Sequence, residues 1–183
     1  RERDRPVPTR ADVAKVIDHA VLKPTFTDKD VVAHCRMCVK RGVGDICVRP
    51  TDVALAARET KGTGTTVACV IGFPHGSNRP ETKALEAKLA IEDGAVELDM
   101  VMNVGKFLSG DHEFVRKDIQ GVVAVAKPKG ALVKVILESS LLTLEQVAEA
   151  CKIAEAAGAD FVKTSTGFAD GGATPEVIGV MLK

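Results

Sequence analysis

Two lysines stand in otherwise apolar segments of the chain. Lys134 occurs in Leu-Val-Lys-Val-Ile-Leu, and Lys163 occurs in Phe-Val-Lys-Thr-Ser-Thr-Gly. Lysine is seldom buried without a partner, and either removal from water or a neighbouring cation lowers the pKa of its amine. The result is a neutral nucleophile that can form a Schiff base with a carbonyl compound. The alternative, that both lysines point outward and extend their ammonium groups into water, stays open on spacing alone.

A carboxylate occupies a similar position in a third apolar segment. Asp99 lies in Glu-Leu-Asp-Met-Val, and Glu97 shares its face because side chains in a strand alternate with a period of two. Active sites of barrel enzymes are built at the carboxyl ends of such strands. An aspartate between two lysines would balance their charge and could relay protons. A structural ion pair is the alternative for each carboxylate.

Small and hydroxyl residues follow Lys163. Thr164 begins Thr-Ser-Thr-Gly, and Gly171 and Gly172 lead into a predicted helix that starts after Thr174. Backbone N–H groups at a helix start can bind a phosphate. An ordinary connecting loop is the alternative, because the chain has neither a Walker loop nor a dinucleotide fingerprint.

Cysteine and histidine do not indicate a metal centre. Cys35 and Cys38 have the spacing of a redox or metal motif, but both fall on the inner stripe of a predicted helix and are interpreted as packing residues. No metal-ligand spacing joins the four histidines, which are His19, His34, His75 and His112. We therefore predict no metal site.

Six short segments that are apolar on both faces predict the strands of a parallel sheet covered by helices. They are Val16–His19, Asp45–Arg49, Thr66–Phe73, Ala95–Val101, Ala131–Leu137 and Phe161–Thr164. The intervening segments carry helix start and stop signals. The start signals are Thr27 with Asp30, Thr143 with Gln146 and Thr174 before Pro175, and the stop signals are Gly42 and Gly158.

Alternation of strands and helices leaves two architectures, a doubly wound open sheet or a closed barrel. A complete TIM (β/α)8 barrel has eight strands and about 250 residues. The chain has 183 residues, which predicts one domain over 1–183 with a flexible segment at 1–8.

Composition bounds the partners of the chain. Lys and Arg total 25 against 25 for Asp and Glu, so no net field attracts nucleic acid or an acidic membrane surface. No apolar run approaches the roughly 20 residues of a membrane helix. Five cysteines with apolar neighbours are typical of reduced, buried thiols. We expect a cytoplasmic protein with a small, anionic ligand.

Several motifs, taken in order, resemble one family. They are Ile17-Asp18-His19, Cys47-Val48, Gly72-Phe73-Pro74-His75-Gly76, Glu97 to Asn103, Val133 to Glu138 and Phe161 to Phe168. Together they are similar to the deoxyribose-phosphate aldolases, from about Ile17 to Lys183. The resemblance implies an α/β fold of the TIM (β/α)8 barrel class, with about six of eight βα units in the sequence.

The resemblance also implies a function. The family consists of class I lyases of deoxyribonucleotide and carbohydrate catabolism, which reversibly cleave 2-deoxy-D-ribose 5-phosphate to acetaldehyde and D-glyceraldehyde 3-phosphate without a metal or organic cofactor. By position, Lys163 matches the Schiff-base lysine, Asp99 the proton-relay aspartate and Lys134 the second pocket lysine. Asp18 matches the carboxylate that contacts a substrate hydroxyl, and Cys47 matches a pocket cysteine. Thr164, Gly171 and Gly172 are further substrate-binding candidates.

Two departures from the family pattern shape the expectations. Ala20 stands where the family usually has threonine, and the last two strands of the family, with a relay lysine and the main phosphate loops, would follow Lys183. We therefore expect the domain to be C-terminally incomplete in this sequence and residues of the protein to be missing from it. A homo-oligomer, dimer or tetramer, is expected. The alternatives are another Schiff-base aldolase of the same barrel class, or a truncated, non-catalytic barrel with a structural or regulatory role.

Overall fold

The computed structural model of the chain describes residues 7–183. Residues 1–6, most of the predicted flexible segment 1–8, lie outside the described residues, while Val7 and Pro8 are exposed. Residues 7–68 and residues 69–183 form two compact units. The expected single domain over 1–183 stays a prediction.

Strands and helices alternate along the described residues. The strands are β1 (Asp18–Val21), β2 (Asp45–Val48), β3 (Thr66–Ile71), β4 (Glu97–Val101), β5 (Leu132–Ile136) and β6 (Phe161–Lys163). The helices are α1 (Arg10–Ala14), α2 (Asp28–Arg41), α3 (Val53–Thr60), α4 (Pro80–Glu92), α5 (Val104–Leu108), α6 (His112–Ala126), α7 (Leu144–Ala156) and α8 (Pro175–Met181). Short 3-10 turns occupy Pro50–Asp52, Lys127–Lys129 and Ser139–Leu141. Within residues 7–183, every helix is too short or too polar to cross a lipid bilayer.

All six predicted strands are present, and their limits differ for local reasons. β1 starts two residues later than predicted, because the N–H groups of Val16 and Ile17 still donate to carbonyls of α1. β3 ends before the predicted Phe73, since Gly72 adopts a left-handed backbone with φ 62°. β4 begins after Ala95, whose N–H donates back to Ala90 in α4.

In the first unit, β1 and β2 pair in parallel. Asp18 lies opposite Asp45, and Val21 lies opposite Val48. The N–H of Thr66, at the start of β3, donates to the carbonyl of Gly44 at 2.9 Å. The parallel arrangement predicted from apolar strands is therefore confirmed for this pair.

In the second unit, β5 pairs in parallel with both β4 and β6. Asp99 of β4 lies opposite Lys134 of β5. Ile136 of β5 lies opposite Lys163 of β6. Because side chains alternate along a strand, this register fixes which side chains of the three strands share a face.

The predicted helix signals are confirmed. Thr27 and Thr143 each form a capping box. The threonine hydroxyl accepts from the N–H of the third helical residue, and the side chain of that residue accepts from the threonine N–H. α2 ends at Gly42, which has a left-handed backbone with φ 65°. Thr174 caps α8, and Pro175 takes the first helical position, where a missing N–H costs nothing.

A fully buried ion pair joins two helices of the second unit. Lys83 of α4 places its Nζ 2.5 Å from Asp118 Oδ2 of α6, and both side chains have no exposed surface. The same Nζ donates to the carbonyl of Val101, the last residue of β4, at 2.9 Å. Burial lowers the pKa of Lys83, although the charge of Asp118 opposes the shift. This pair fixes α4 and α6 to the carboxyl end of β4.

The turn after β3 leaves room for the Lys83 stem. A side-chain carbon at Gly72 would lie 2.8 Å from Lys83 Cε, closer than real carbon atoms approach. The Gly72 N–H donates to Glu86 Oε2 at 2.7 Å, one helical turn beyond Lys83. Both its backbone angle and this contact therefore favour glycine at position 72.

Replacement of Lys83 by methionine should strongly destabilise the protein. It leaves the Asp118 carboxylate buried without its counter-charge, a change that costs roughly 3–5 kcal/mol, whereas replacing both partners by apolar residues is close to neutral. We expect Lys83→Met to lower the free energy of unfolding in urea by about that amount and Lys83→Met with Asp118→Leu to recover most of it.

Lys88→Met is the matched control on the same helix. Lys88 forms an exposed pair with Glu92 at 3.9 Å, which is worth at most about 1 kcal/mol. A Lys83→Met variant no less stable than Lys88→Met would contradict the expectation.

Candidate active site

Four ionisable side chains share one face of β4, β5 and β6. Glu97 and Asp99 are two residues apart on β4 and therefore point to the same side. Lys134 lies level with Asp99, and Lys163 lies level with Ile136, two residues beyond Lys134. Lys163 is thus one side-chain step nearer to the carboxyl end of the sheet than Asp99 and Lys134.

The contacts form a row of alternating charge. Lys163 Nζ donates to Asp99 Oδ2. On the other side of the same carboxylate, Lys134 Nζ lies 3.8 Å from Asp99 Oδ1. Lys134 also forms an ion pair with Glu97 Oε2. The structure therefore brings Asp99, Lys134 and Lys163 together, and adds Glu97 at the amino-terminal end of the row.

The two lysines differ in burial. The side chain of Lys134 is 9% exposed and that of Lys163 is 29% exposed, while Asp99 is 1% exposed. Lys134 is thus enclosed with its acids, and the alternative that it reaches into water is wrong. Lys163 contacts the same buried acid and keeps part of its surface open. Of the two lysine side chains, that of Lys163 is the more exposed.

The residues predicted from the glycine-rich segment lie beyond β6. The carbonyl of Thr164 accepts from the Ser139 N–H at 2.8 Å. Gly171 and Gly172 are exposed, and Gly171 has φ 90°. Thr174 uses its hydroxyl to cap α8, accepting from the Val177 N–H. Binding of a phosphate by Thr164, Gly171 and Gly172 stays a prediction.

Asp18 and Cys47 belong to the first unit. Asp18 is the first residue of β1, half-buried and opposite Asp45. Cys47 is buried in β2, opposite Ala20. Contact of either residue with a substrate stays a prediction.

Sequence reasoning gave Glu138 no role, although it ends one of the motifs. Glu138 lies two residues beyond the end of β5 and is buried. Its Oε2 accepts from the Thr166 hydroxyl at 2.5 Å, and both carboxylate oxygens lie 3.3 Å from the Thr166 N–H. The one signal in the sequence is a charged residue immediately after a buried strand.

Cys35 and Cys38 are packing residues, as predicted. Both side chains are completely buried on α2. Burial raises the pKa of each thiol to about 11. Within residues 7–183, no three His, Cys, Asp or Glu side chains converge as a metal-binding group.

Comparisons with known proteins point to one family of aldolases. The model of the DeoC/LacD family aldolases matches residues 12–182. The deoxyribose-phosphate aldolase of Geobacillus sp. (strain WCH70) is 54% identical over 172 residues, which cover 94% of this chain and 77% of that protein. The deoxyribose-phosphate aldolase of Thermococcus gammatolerans is 49% identical over 174 residues, with the same shares covered.

A solved structure shows the same fold. The deoxyribose phosphate aldolase from Aeropyrum pernix, described as a unique tetrameric structure, superimposes with a TM-score of 0.87 at 34% identity. The match covers 94% of this chain and 72% of that one. The predicted α/β barrel class is therefore confirmed.

Parallel βα units and a partly exposed lysine beside a buried acid are the features of the Schiff-base aldolase class. The chain belongs to the DeoC/LacD family of aldolases, because the family model spans nearly its whole length. The resemblance seen in the motifs is confirmed, and so is the prediction of a carbon–carbon lyase.

The raised pKa of Cys35 and Cys38 predicts slow reaction with alkylating reagents. With a pKa of about 11, roughly one thiol in 10³ is ionised at pH 8, and only the thiolate is the nucleophile. We expect iodoacetamide to leave both residues unmodified in the folded protein at pH 8 and to modify both after unfolding in urea, as located by peptide mass. Alkylation of either residue in the folded protein at the rate of a small thiol would show that α2 opens readily.

Proposed function

We propose that the protein is a class I aldolase that reversibly cleaves 2-deoxy-D-ribose 5-phosphate into acetaldehyde and D-glyceraldehyde 3-phosphate. The observation that carries the proposal is the contact of Lys163 with the buried carboxylate of Asp99. Membership of the aldolase family supports the substrate.

Lys163 is the proposed nucleophile. Its Nζ adds to the aldehyde carbon of the open-chain sugar, and loss of water gives an iminium ion. A general base then removes the proton of the hydroxyl group on the third carbon, and the bond between the second and third carbons breaks. The electron pair of that bond forms the carbon–carbon double bond of an enamine while the C=N π pair returns to the nitrogen, and D-glyceraldehyde 3-phosphate is released. Protonation of the enamine carbon and hydrolysis release acetaldehyde and restore the amine.

Asp99 is the proposed proton relay. Its carboxylate already holds the Lys163 ammonium, so it is placed to take the proton that the amine must lose before attack. Positioned acid–base groups of this kind contribute about 10²–10⁴-fold to rate. Lys134 lies on the other side of Asp99, with its Nζ 3.8 Å from Oδ1.

Glu97 supports the proposed role of Asp99 as the proton relay. It pairs with Lys134 at the amino-terminal end of the row, so that Asp99 does not balance both lysine charges alone. Lys134 therefore keeps an acidic neighbour in Glu97 when Asp99 takes up a proton during the reaction.

The remaining roles rest on the family resemblance. Asp18 is proposed to contact a substrate hydroxyl, Cys47 to line the pocket, and Thr164, Gly171 and Gly172 to contribute to phosphate binding. The covalent intermediate at Lys163 takes the place of a cofactor in this proposal. A homo-oligomer and a cytoplasmic location are proposed on the same basis, and the tetrameric relative supports the first.

Borohydride trapping tests the nucleophile. Reduction in the presence of acetaldehyde should attach an ethyl group to Lys163, which peptide mass mapping would locate, because borohydride reduces the iminium to a stable amine. Lys163→Ala should abolish both the adduct and the cleavage of the sugar phosphate, and the variant should still fold, because Lys134 remains beside Asp99.

Lys152→Ala is the control for this variant, since Lys152 is exposed on α7. An unmodified Lys163 in the unaltered protein would favour the non-catalytic barrel. An adduct with acetaldehyde but no release of D-glyceraldehyde 3-phosphate would favour another aldolase of the class.

Asp99→Asn should lower kcat far more than it raises KM. The amide keeps the shape but cannot accept a proton, and proton transfer belongs to the transition state more than to binding. We expect a loss of about 10²-fold or more in steady-state cleavage. Asp93→Asn, at the exposed end of α4, should retain the rate of the unaltered protein. A rise in KM alone would make Asp99 a binding residue.

A further inference from the structure

Glu138 has an unusual backbone. Among residues 7–183 it is the only non-glycine residue with positive φ, at φ 53° and ψ 59°. This left-handed conformation is unfavourable for a residue with a β-carbon and persists only where the surroundings impose it. Such residues concentrate at functional sites.

The left-handed residue shifts the pairing between the ends of β5 and β6. The Leu137 N–H donates to the carbonyl of Lys163 at 2.9 Å. In a regular parallel ladder the next N–H, that of Ser139, would reach the carbonyl of residue 165. It donates instead to Thr164 at 2.8 Å. The β5 side therefore contains one extra residue at Glu138. The carbonyls of Lys163 and Thr164 both accept hydrogen bonds from this side.

The carboxylate of Glu138 extends this hold along the chain. It accepts from the hydroxyl and the N–H of Thr166, three residues after Lys163. The Thr166 hydroxyl in turn accepts from the Phe168 N–H at 3.0 Å. The segment 164–168 is thus tied to the end of β5 by one buried side chain.

The tie matters because β6 is short. It has three residues, and Lys163 is the last of them. The ladder alone supplies few hydrogen bonds to define the position of that residue. Lys163 must nevertheless place its Nζ against Asp99, which depends on where its backbone lies relative to β4 and β5.

We propose that Glu138 is a positioning residue for Lys163: its left-handed backbone and its bond to Thr166 fix the carboxyl end of β6 so that the amine meets Asp99. The proposal rests on the proposed function of Lys163. It assigns Glu138 no contact with substrate. Small displacements of a reacting group cost much in rate, which is why a residue in this place can control turnover.

The test uses variants that break the tie without straining the fold. Glu138→Gly removes the carboxylate and suits a left-handed backbone. Thr166→Val removes the hydroxyl donor and keeps the side-chain shape, whereas Thr166→Ser keeps the hydroxyl and serves as the conservative control. The measurement is the rate of adduct formation at Lys163 with saturating acetaldehyde and borohydride, beside the half-saturating concentration and the thermal midpoint.

We expect Glu138→Gly and Thr166→Val each to slow adduct formation about 10-fold or more at saturating acetaldehyde, with little change in the half-saturating concentration. Thr166→Ser should form the adduct at the rate of the unaltered protein, because it keeps the hydroxyl. The double variant should be no slower than the slower single variant, because both changes remove the same bond.

A merely structural role would give a different pattern. The thermal midpoints would fall, while the saturated rate well below the midpoint would match that of the unaltered protein, and that result would overturn the proposal. Absence of any adduct in the unaltered protein would instead overturn the proposed function itself, so the two failures are distinguishable.

Discussion

The structure depends on the cost of keeping lysine ammonium groups among apolar strands. A charge removed from water must find a counter-charge at hydrogen-bonding distance or lose its proton. Here the parallel register of β4, β5 and β6 supplies the counter-charges, since it sets Asp99 level with Lys134 and one step from Lys163. The chemistry of the site follows from this arrangement of one acid between two amines.

A parallel sheet brings such residues together directly. All carboxyl ends lie at one edge, so a residue at the end of each strand meets its neighbours without long loops. The helices must then hold each strand at the right height. Lys83 does this for β4, because its ammonium bonds the carbonyl of Val101 and pairs with Asp118. Glu138 holds the end of β6 from the side of β5.

The sequence predicted much of this fold because its signals are local. Apolarity on both faces identified all six strands, and threonine with a matching residue three positions later identified the starts of α2 and α7. Lys134 and Lys163 stood out because lysine is rare in such strands. The limits of β1 and β3 differ from the predicted ones, because they depend on hydrogen bonds to α1 and on the backbone of Gly72.

Lys83 and Glu138 could not be predicted, because the partners that explain them are distant in sequence. Lys83 lies in Pro-Glu-Thr-Lys-Ala, which reads as an ordinary exposed helix start, and its acid is 35 residues away. Its burial also requires the open space at Gly72. Glu138 bonds a threonine 28 residues further on, and nothing in its neighbours predicts a left-handed backbone.

The alternating row has a further consequence for how an anionic sugar arrives. Two acids and two lysines in direct contact cancel one another, and the whole chain carries no formal net charge at pH 7. At distances beyond a Debye length of about 10 Å, the row therefore exerts little pull on a diffusing phosphate ester. The row itself therefore adds little salt-dependent attraction to the approach of an anionic substrate.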